Sequence, residues 1–379
     1  MNSLKIRNVI KAVAFFLIAA IITCTVAFAS GDWQSNQDGP DSGNADNEEI
    51  LDNGETDENK DGDNKNPTDS ENTSPDVSVG DPVPEYIDYI TGLEITREES
   101  KDAPFSFIYD PNSSLYGISS AQMVIEIPTE DGNTRFITVT RNPYDLGKIG
   151  GIAPSREYFS SFISYFGANA VSYGSDDRFQ YTEQNTAVTL DLSKINGYSY
   201  TEYTDYVCTN GDLIEAFVRN QYISTQAAEV TMPFRFYAYG SKYDLIGKNA
   251  ATVTVKYSDN NITLFTYSRS DGKYTLSKNG EVVKDRLNDK ELKYDNVFIL
   301  FSNAATYETA DATQTIIDTY SGGTGYYING GKNVSFTWSQ DGNGNLLFID
   351  NSGEKLVVNR GTSYFSIVKA SRKSDVVIA

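Results

Sequence analysis

The chain has 379 residues, with 52 acidic side chains against 31 basic ones, a formal charge of −21, two cysteines and no histidine. Without imidazole there is no Ser-His-Asp or Cys-His nucleophile, no histidine-ligated metal and no histidine proton shuttle. Two cysteines are too few for a four-cysteine zinc site or a disulfide framework.

In chain order, Lys5, Arg7 and Lys11 form a basic start, and an apolar stretch from Ala12 runs to Ala27-Phe28-Ala29. That small-x-small ending is what a signal peptidase cuts, so residues 1–29 read as a signal peptide. Lipidation at Cys24 and an uncleaved helical anchor are the alternatives, and each places the protein outside the cytoplasm. Residues 30–83 read as an acidic linker: residues 31–83 hold sixteen Asp or Glu and two Lys. Such a segment has too little apolar surface to offset its ordering entropy, so disorder is expected. The remainder is mildly acidic and has no basic stripe, which argues against nucleic acid and leaves the N-terminal anchor as the route to a membrane. Cys208 reads as a buried small hydrophobe.

From Pro104 onward, period-two runs recur. Phe105 to Tyr109 is one. Met123 to Ile127 and Arg135 to Val139 flank Glu130-Asp131-Gly132-Asn133 and read as a hairpin. Phe159, Phe162, Ile163 and Phe166 share one helical face, with Ser155 as the expected cap. Thr209 and Asp212 form a capping-box-like start for a helix over 213–218. After about residue 246 short strands take over: 251–257, 262–267, 297–301, 326–328, 334–338, 346–349, 355–358 and 364–368. Turn chemistry separates them. The expected fold class is therefore α+β: an α+β unit over 84–245, then a β-rich unit over 246–379.

The order of motifs resembles the YerB-type lipoprotein family, a two-part extracytoplasmic family of unknown biochemical function. The matching residues are Pro104-Phe105, Ser120-Ala121, Val124-x-Glu126-Ile127, Gly132-x-Thr134-Arg135-Phe136, Lys148-Ile149-Gly150 and Ser155-Arg156-x-Tyr158-Phe159. In the second half they are Tyr267-x-Arg269, Asp271-Gly272, Asn296-Val297, Gly325-Tyr326-Tyr327, Gly330-x-Lys332, Trp338 and Gly361 before Tyr364. The resemblance implies an envelope protein. Family histidines are missing at Tyr274 and near Ser172 and Thr204, and a basic residue is missing at Ala153, which points away from catalysis.

Glu126 and Arg135 lie on the two arms of the hairpin and are expected to meet as a cross-strand ion pair. Arg156, near a helix start, is expected to reach an acid such as Glu126. Asp341-Gly342-Asn343-Gly344-Asn345 reads as a hairpin turn, since positions six and twelve lack the glycine and acid of a calcium loop. A groove between the two units is the expected binding site, lined by Glu126, Arg135, Arg156, Arg269 and Asp271 with aromatic walls from Tyr158 and Tyr267. No cofactor and no metal are expected. The sequence favours an exported, non-enzymatic binding or scaffold protein whose partner is an envelope protein or a cell-wall component. The alternatives are a hydrolase of cell-wall polymer using paired carboxylates, in which Glu126→Gln or Asp271→Asn would abolish turnover, and a solute-binding protein.

Overall fold

The computed structural model describes residues 83–174, 189–202, 206–308 and 313–379. The signal segment, Cys24 and all of the acidic tract but Val83 lie outside the described residues. Fourteen strands carry the argument: β1 (Phe105–Tyr109), β2 (Met123–Pro128), β3 (Thr134–Val139), β4 (Ile149–Ile152), β5 (Asn169–Ser172), β6 (Tyr206–Thr209), β7 (Thr252–Ser258), β8 (Asn261–Ser268), β9 (Lys273–Lys278), β10 (Asn296–Ser302), β11 (Gly323–Asn329), β12 (Lys332–Gln340), β13 (Ser363–Lys369) and β14 (Val376–Ile378). Among the described residues there are two α-helices, α1 (Phe159–Tyr165) and α2 (Gly211–Asn220), both before residue 246, as the sequence suggests. The described chain is mostly β.

The central sheet has the core order β12-β11-β10-β13-β2-β3-β1-β4-β6. Its three middle strands, β10, β13 and β2, run parallel, and their neighbours are antiparallel. These strands are buried on both faces, which is why Val-Phe-Ile-Leu-Phe in β10 and Tyr-Phe-Ser-Ile-Val in β13 read as nearly continuous apolar runs. A second sheet, β9-β8-β7-β14, is antiparallel. Strand β7 alternates between buried and half-exposed, so one of its faces is turned inward.

Two cores cover the two faces of the central sheet. On one, Val124, Phe136, Val297 and Tyr364 pack with Val253, Phe265, Tyr274 and Leu276 of the second sheet and with Ile214 and Phe217 of α2. On the other, Ile125, Phe298, Phe365 and Ile367 pack against Phe159, Phe162 and Ile163 of α1 and against Phe234. All described residues belong to one compact unit. Strands from either side of residue 246 interleave in the central sheet, with β13 seated between β10 and β2.

The hairpin forms as expected, with Met123 opposite Val139 and Ile125 opposite Ile137. The caps differ from expectation. Ser155 lies four residues before α1 and is fully buried, and no side chain caps that helix. In α2 the cap is Asn210, whose Oδ1 accepts from the Leu213 N–H at 2.9 Å. Cys208 is buried at the β4–β6 pairing, and burial raises its thiol pKa. Asp341 closes the expected turn by accepting from the Asn343 and Asn345 N–H groups.

Candidate functional site

The parallel strands β10, β13 and β2 end at Ser302, Lys369 and Pro128. Crevices outside the carboxyl ends of parallel strands are favoured binding places. Here a cavity of about 390 Å³ opens, lined by Glu130, Asn133, Tyr257, Thr315, Lys369 and Arg372 among others. The loop between β2 and β3 supplies one rim. It reverses the chain tightly, with Asp131 and Gly132 both at positive φ (56° and 73°), and this turns Glu130 toward α1. There the Arg156 guanidinium grips the carboxylate, Nη2 at 3.0 Å and Nε at 3.3 Å. Burial pushes the Glu130 carboxyl up, but hydrogen bonds from Arg156 and from backbone groups outweigh it, and its pKa lies below the ordinary value.

Lys369, at the end of β13, supplies a positive charge to the lining. Its amine contacts Thr315 Oγ1 at 3.5 Å and pairs with no carboxylate among the described residues. Burial, then the nearby Arg372, lowers its pKa. Arg372 is itself held by Asp375 at 3.0 Å and by the Lys256 carbonyl. The cavity therefore presents one amine that makes no direct salt bridge among the described residues, with the Glu130 carboxylate near enough to act on its charge, beside hydroxyl and amide groups. Tyr257 closes the cavity on its inner side.

Behind Tyr257, between the two sheets, lies a buried polar network centred on Glu126. Its carboxylate meets the Lys278 amine at 2.5 Å and accepts 2.8 Å hydrogen bonds from the hydroxyls of Thr134, Thr263 and Tyr364. Lys278 also donates to Asn261 Oδ1 and to Thr263. Burial, reinforced by the Glu126 charge, raises the phenol pKa values of Tyr257, Tyr294 and Tyr364.

The residues singled out from sequence fall in different places. Glu126 and Arg135 do not pair. Glu126 stands opposite Phe136, while Arg135 stands opposite Ile127, so the two side chains leave opposite faces of the sheet. Arg135 contacts Asp110 at 3.4 Å. Arg156 reaches Glu130 and not Glu126. Tyr158 is buried and donates to the Pro128 carbonyl at 2.8 Å, supporting the cavity from beneath. Tyr267, Arg269 and Asp271 lie at the far end of β9 from Lys278, roughly 17 Å along the strand. There Tyr267 packs on Tyr274 with ring centroids 5.1 Å apart, Asp271 pairs with Lys293 at 2.9 Å, and Arg269 is exposed. Seven residues expected to line one groove thus occupy four settings: the support of the cavity rim for Arg156 and Tyr158, the interior for Glu126, the Asp110 pair for Arg135, and a distant turn for Tyr267, Arg269 and Asp271.

Comparison with known proteins places this geometry. Residues 90–232 match the N-terminal domain of the protein family of unknown function DUF3048, and residues 253–365 match its C-terminal domain. The chain belongs to the DUF3048 family. Among the relatives is YerB of Bacillus subtilis (strain 168), a candidate lipoprotein by its name, 25% identical over 300 residues that cover 74% of this chain and 85% of YerB. The crystal structure of the Bacillus subtilis YerB protein superimposes with a TM-score of 0.67 at 20% identity, covering 78% of this chain and all of that one. Both DUF3048 domains contribute to the cavity: the β2–β3 loop comes from the N-terminal match, and Tyr257, Thr306 and Thr315 come from the C-terminal match.

Sequence reasoning about this DUF3048 chain missed Lys278 and Lys369. Lys278 carries a legible signal, since it shares the inward parity of Tyr274 and Leu276 on β9, and a lysine on an apolar face needs a buried partner. Lys369 carries none. It follows Val368 at a strand end and becomes a cavity residue only because β13 inserts between β10 and β2.

Proposed function

We propose that this DUF3048 protein is an extracytoplasmic binding or scaffold protein of the cell envelope, acting without a cofactor, whose ligand or partner segment seats in the cavity at the carboxyl ends of β10, β13 and β2. The observation that carries this reading is the cavity itself, which is built by both family domains and holds the Lys369 amine in no direct salt bridge among the described residues. The basic start, the apolar stretch and Ala27-Phe28-Ala29 support export. The name of the relative YerB supports a place at the membrane surface.

A hydrolase reading has less support. Glu126 is enclosed in its pair with Lys278, and Asp271 is exposed beside Lys293 at the other end of β9. Glycoside hydrolysis needs two carboxyls facing one bond, with one raised to act as acid. Glu130, the carboxyl gripped at the cavity rim, is shifted the other way.

The test is cross-linking of the full chain in its own cells beside a Lys369→Met variant with unchanged melting temperature. The wild type is expected to enrich one envelope component, and the variant to lose it. Equal recovery by both, or recovery of nothing from the envelope, overturns the reading. A small solute that raises the melting temperature of wild type alone would make the bound species a solute.

A further inference from the structure

A second pocket, of about 220 Å³, shares no lining residue with the cavity and lies between the segment at Tyr243 and Leu245, the start of β12 at Val334 and Ser335, and the turn after the strand Leu346–Ile349. We infer that it is a carbohydrate site that seats one sugar residue of a neutral glycan chain. One wall is Tyr243. Its backbone is clamped from both sides by a single buried side chain: the Tyr243 N–H donates to Asn359 Oδ1 at 2.7 Å, and Asn359 Nδ2 donates to the Tyr243 carbonyl at 2.7 Å. Asn359 is fixed in turn by Asn329 and by the Tyr327 hydroxyl. The backbone that carries the ring is therefore held in place before any ligand arrives.

The facing wall is the turn at Asp350. Its Oδ1 accepts from the Ser352 N–H, the Ser352 hydroxyl and the Glu354 N–H at 2.8, 2.5 and 3.1 Å. These bonds fix the carboxylate plane, and no described residue donates to Oδ2. Asn351 and Ser335 bond to one another across the mouth at 3.1 Å. Val334 and Leu356 supply an apolar floor. An aromatic wall, an apolar floor and a rim of hydroxyl, amide and carboxylate groups match a ring with C–H faces and hydroxyl edges. No lysine or arginine lines the pocket, and the one charge in its lining is Asp350, which favours a neutral ligand over an anion.

The volume falls below the several hundred Å³ usual for larger ligands and suits a single ring. Tyr237 continues the surface beyond the pocket: it is exposed, and its ring lies 5.3 Å from that of Tyr243 at 34°. A neighbouring sugar residue would rest on it, so an oligosaccharide should bind more tightly than its monomer.

Isothermal titration of the full chain with chitotriose, cellotriose and maltotriose tests this. Saturable binding of at least one is expected, weakened about tenfold by Tyr243→Ala and nearly unchanged by Tyr243→Phe, which keeps the ring. Ser335→Arg is the second variant. It fills the mouth from the exposed side of β12 without entering the core, and it should also abolish binding. Lys369→Met should leave binding intact, which separates this site from the larger cavity. The inference is overturned if none of the three sugars binds, or if Ser335→Arg binds as wild type does.

Discussion

At the scale of single residues, the Glu126–Lys278 pair shows how strand parity fixes chemistry. Val124, Glu126, Phe136 and Tyr364 point to the same side of the central sheet, and Tyr274, Leu276 and Lys278 point toward them from β9. A carboxylate in that layer has no water, so it is stable only with its counter-ion and three hydroxyl donors in place. Removing one partner leaves a buried charge, whereas removing both does not. Lys278→Met should therefore cost about 3–5 kcal/mol, read from urea denaturation. Adding Glu126→Gln should recover a substantial part of that loss, a coupling that a double-mutant cycle measures. Equal losses in the single and double variants would show that Lys278 acts only through its packing.

At the scale of elements, α2 shows which features a sequence carries and which it does not. The apolar positions Ile214, Phe217 and Val218 are legible from their spacing, and they are buried. The start is less legible, because Thr209, Asn210 and Asp212 are all reasonable caps and only the chain direction after β6 selects Asn210. Gly211, the first helical residue, shows nothing unusual in sequence. Its N–H donates to the Leu146 carbonyl at 2.8 Å, and a Cβ there would lie 1.9 Å from the Tyr144 carbonyl oxygen. Gly211→Ala should therefore push α2 off the Pro143–Asp145 turn and cost about 1–3 kcal/mol, against about 1 kcal/mol for Asn210→Ala. Urea midpoints of the two variants check this, and a Gly211→Ala midpoint equal to wild type would refute the close approach. Strands were legible for a related reason: alternation in β7 and β8, and continuous apolar runs in β10 and β13, are local patterns. Their partners were not. The parallel contact of β2 with β13 joins segments some 240 residues apart, and no local pattern encodes it. The cavity at their carboxyl ends was hidden with it.

At the scale of the whole molecule, the missing histidines and abundant tyrosines set the pH range of stability. No side chain has an ordinary pKa between those of the carboxylates and the thiol, so no imidazole step in stability is expected near neutrality. On the alkaline side, burial raises the phenols of Tyr89, Tyr144 and Tyr165 from 10.0 to about 12, and those of Tyr109, Tyr257 and Tyr364 further. An unfolded chain releases these protons near pH 10 and the folded chain keeps them. The stability they confer is complete below pH 10 and is lost as pH rises through their folded values. On the acid side, a hydrogen bond from Asn345 holds Asp341 below the ordinary carboxyl value, and one from Ser352 does the same for Asp350. Their contribution is present above the unfolded carboxyl pKa and is lost as pH falls through the lower folded values. The melting temperature should therefore be flat between about pH 5.5 and 9, falling steeply above about pH 10 and more gradually below about pH 4. Thermal melts across this range at constant ionic strength decide the matter. A step near pH 6.5 would contradict it, because no imidazole exists to produce one. A flat curve through pH 11 would show that the tyrosines ionise as freely in the folded chain as in the unfolded one.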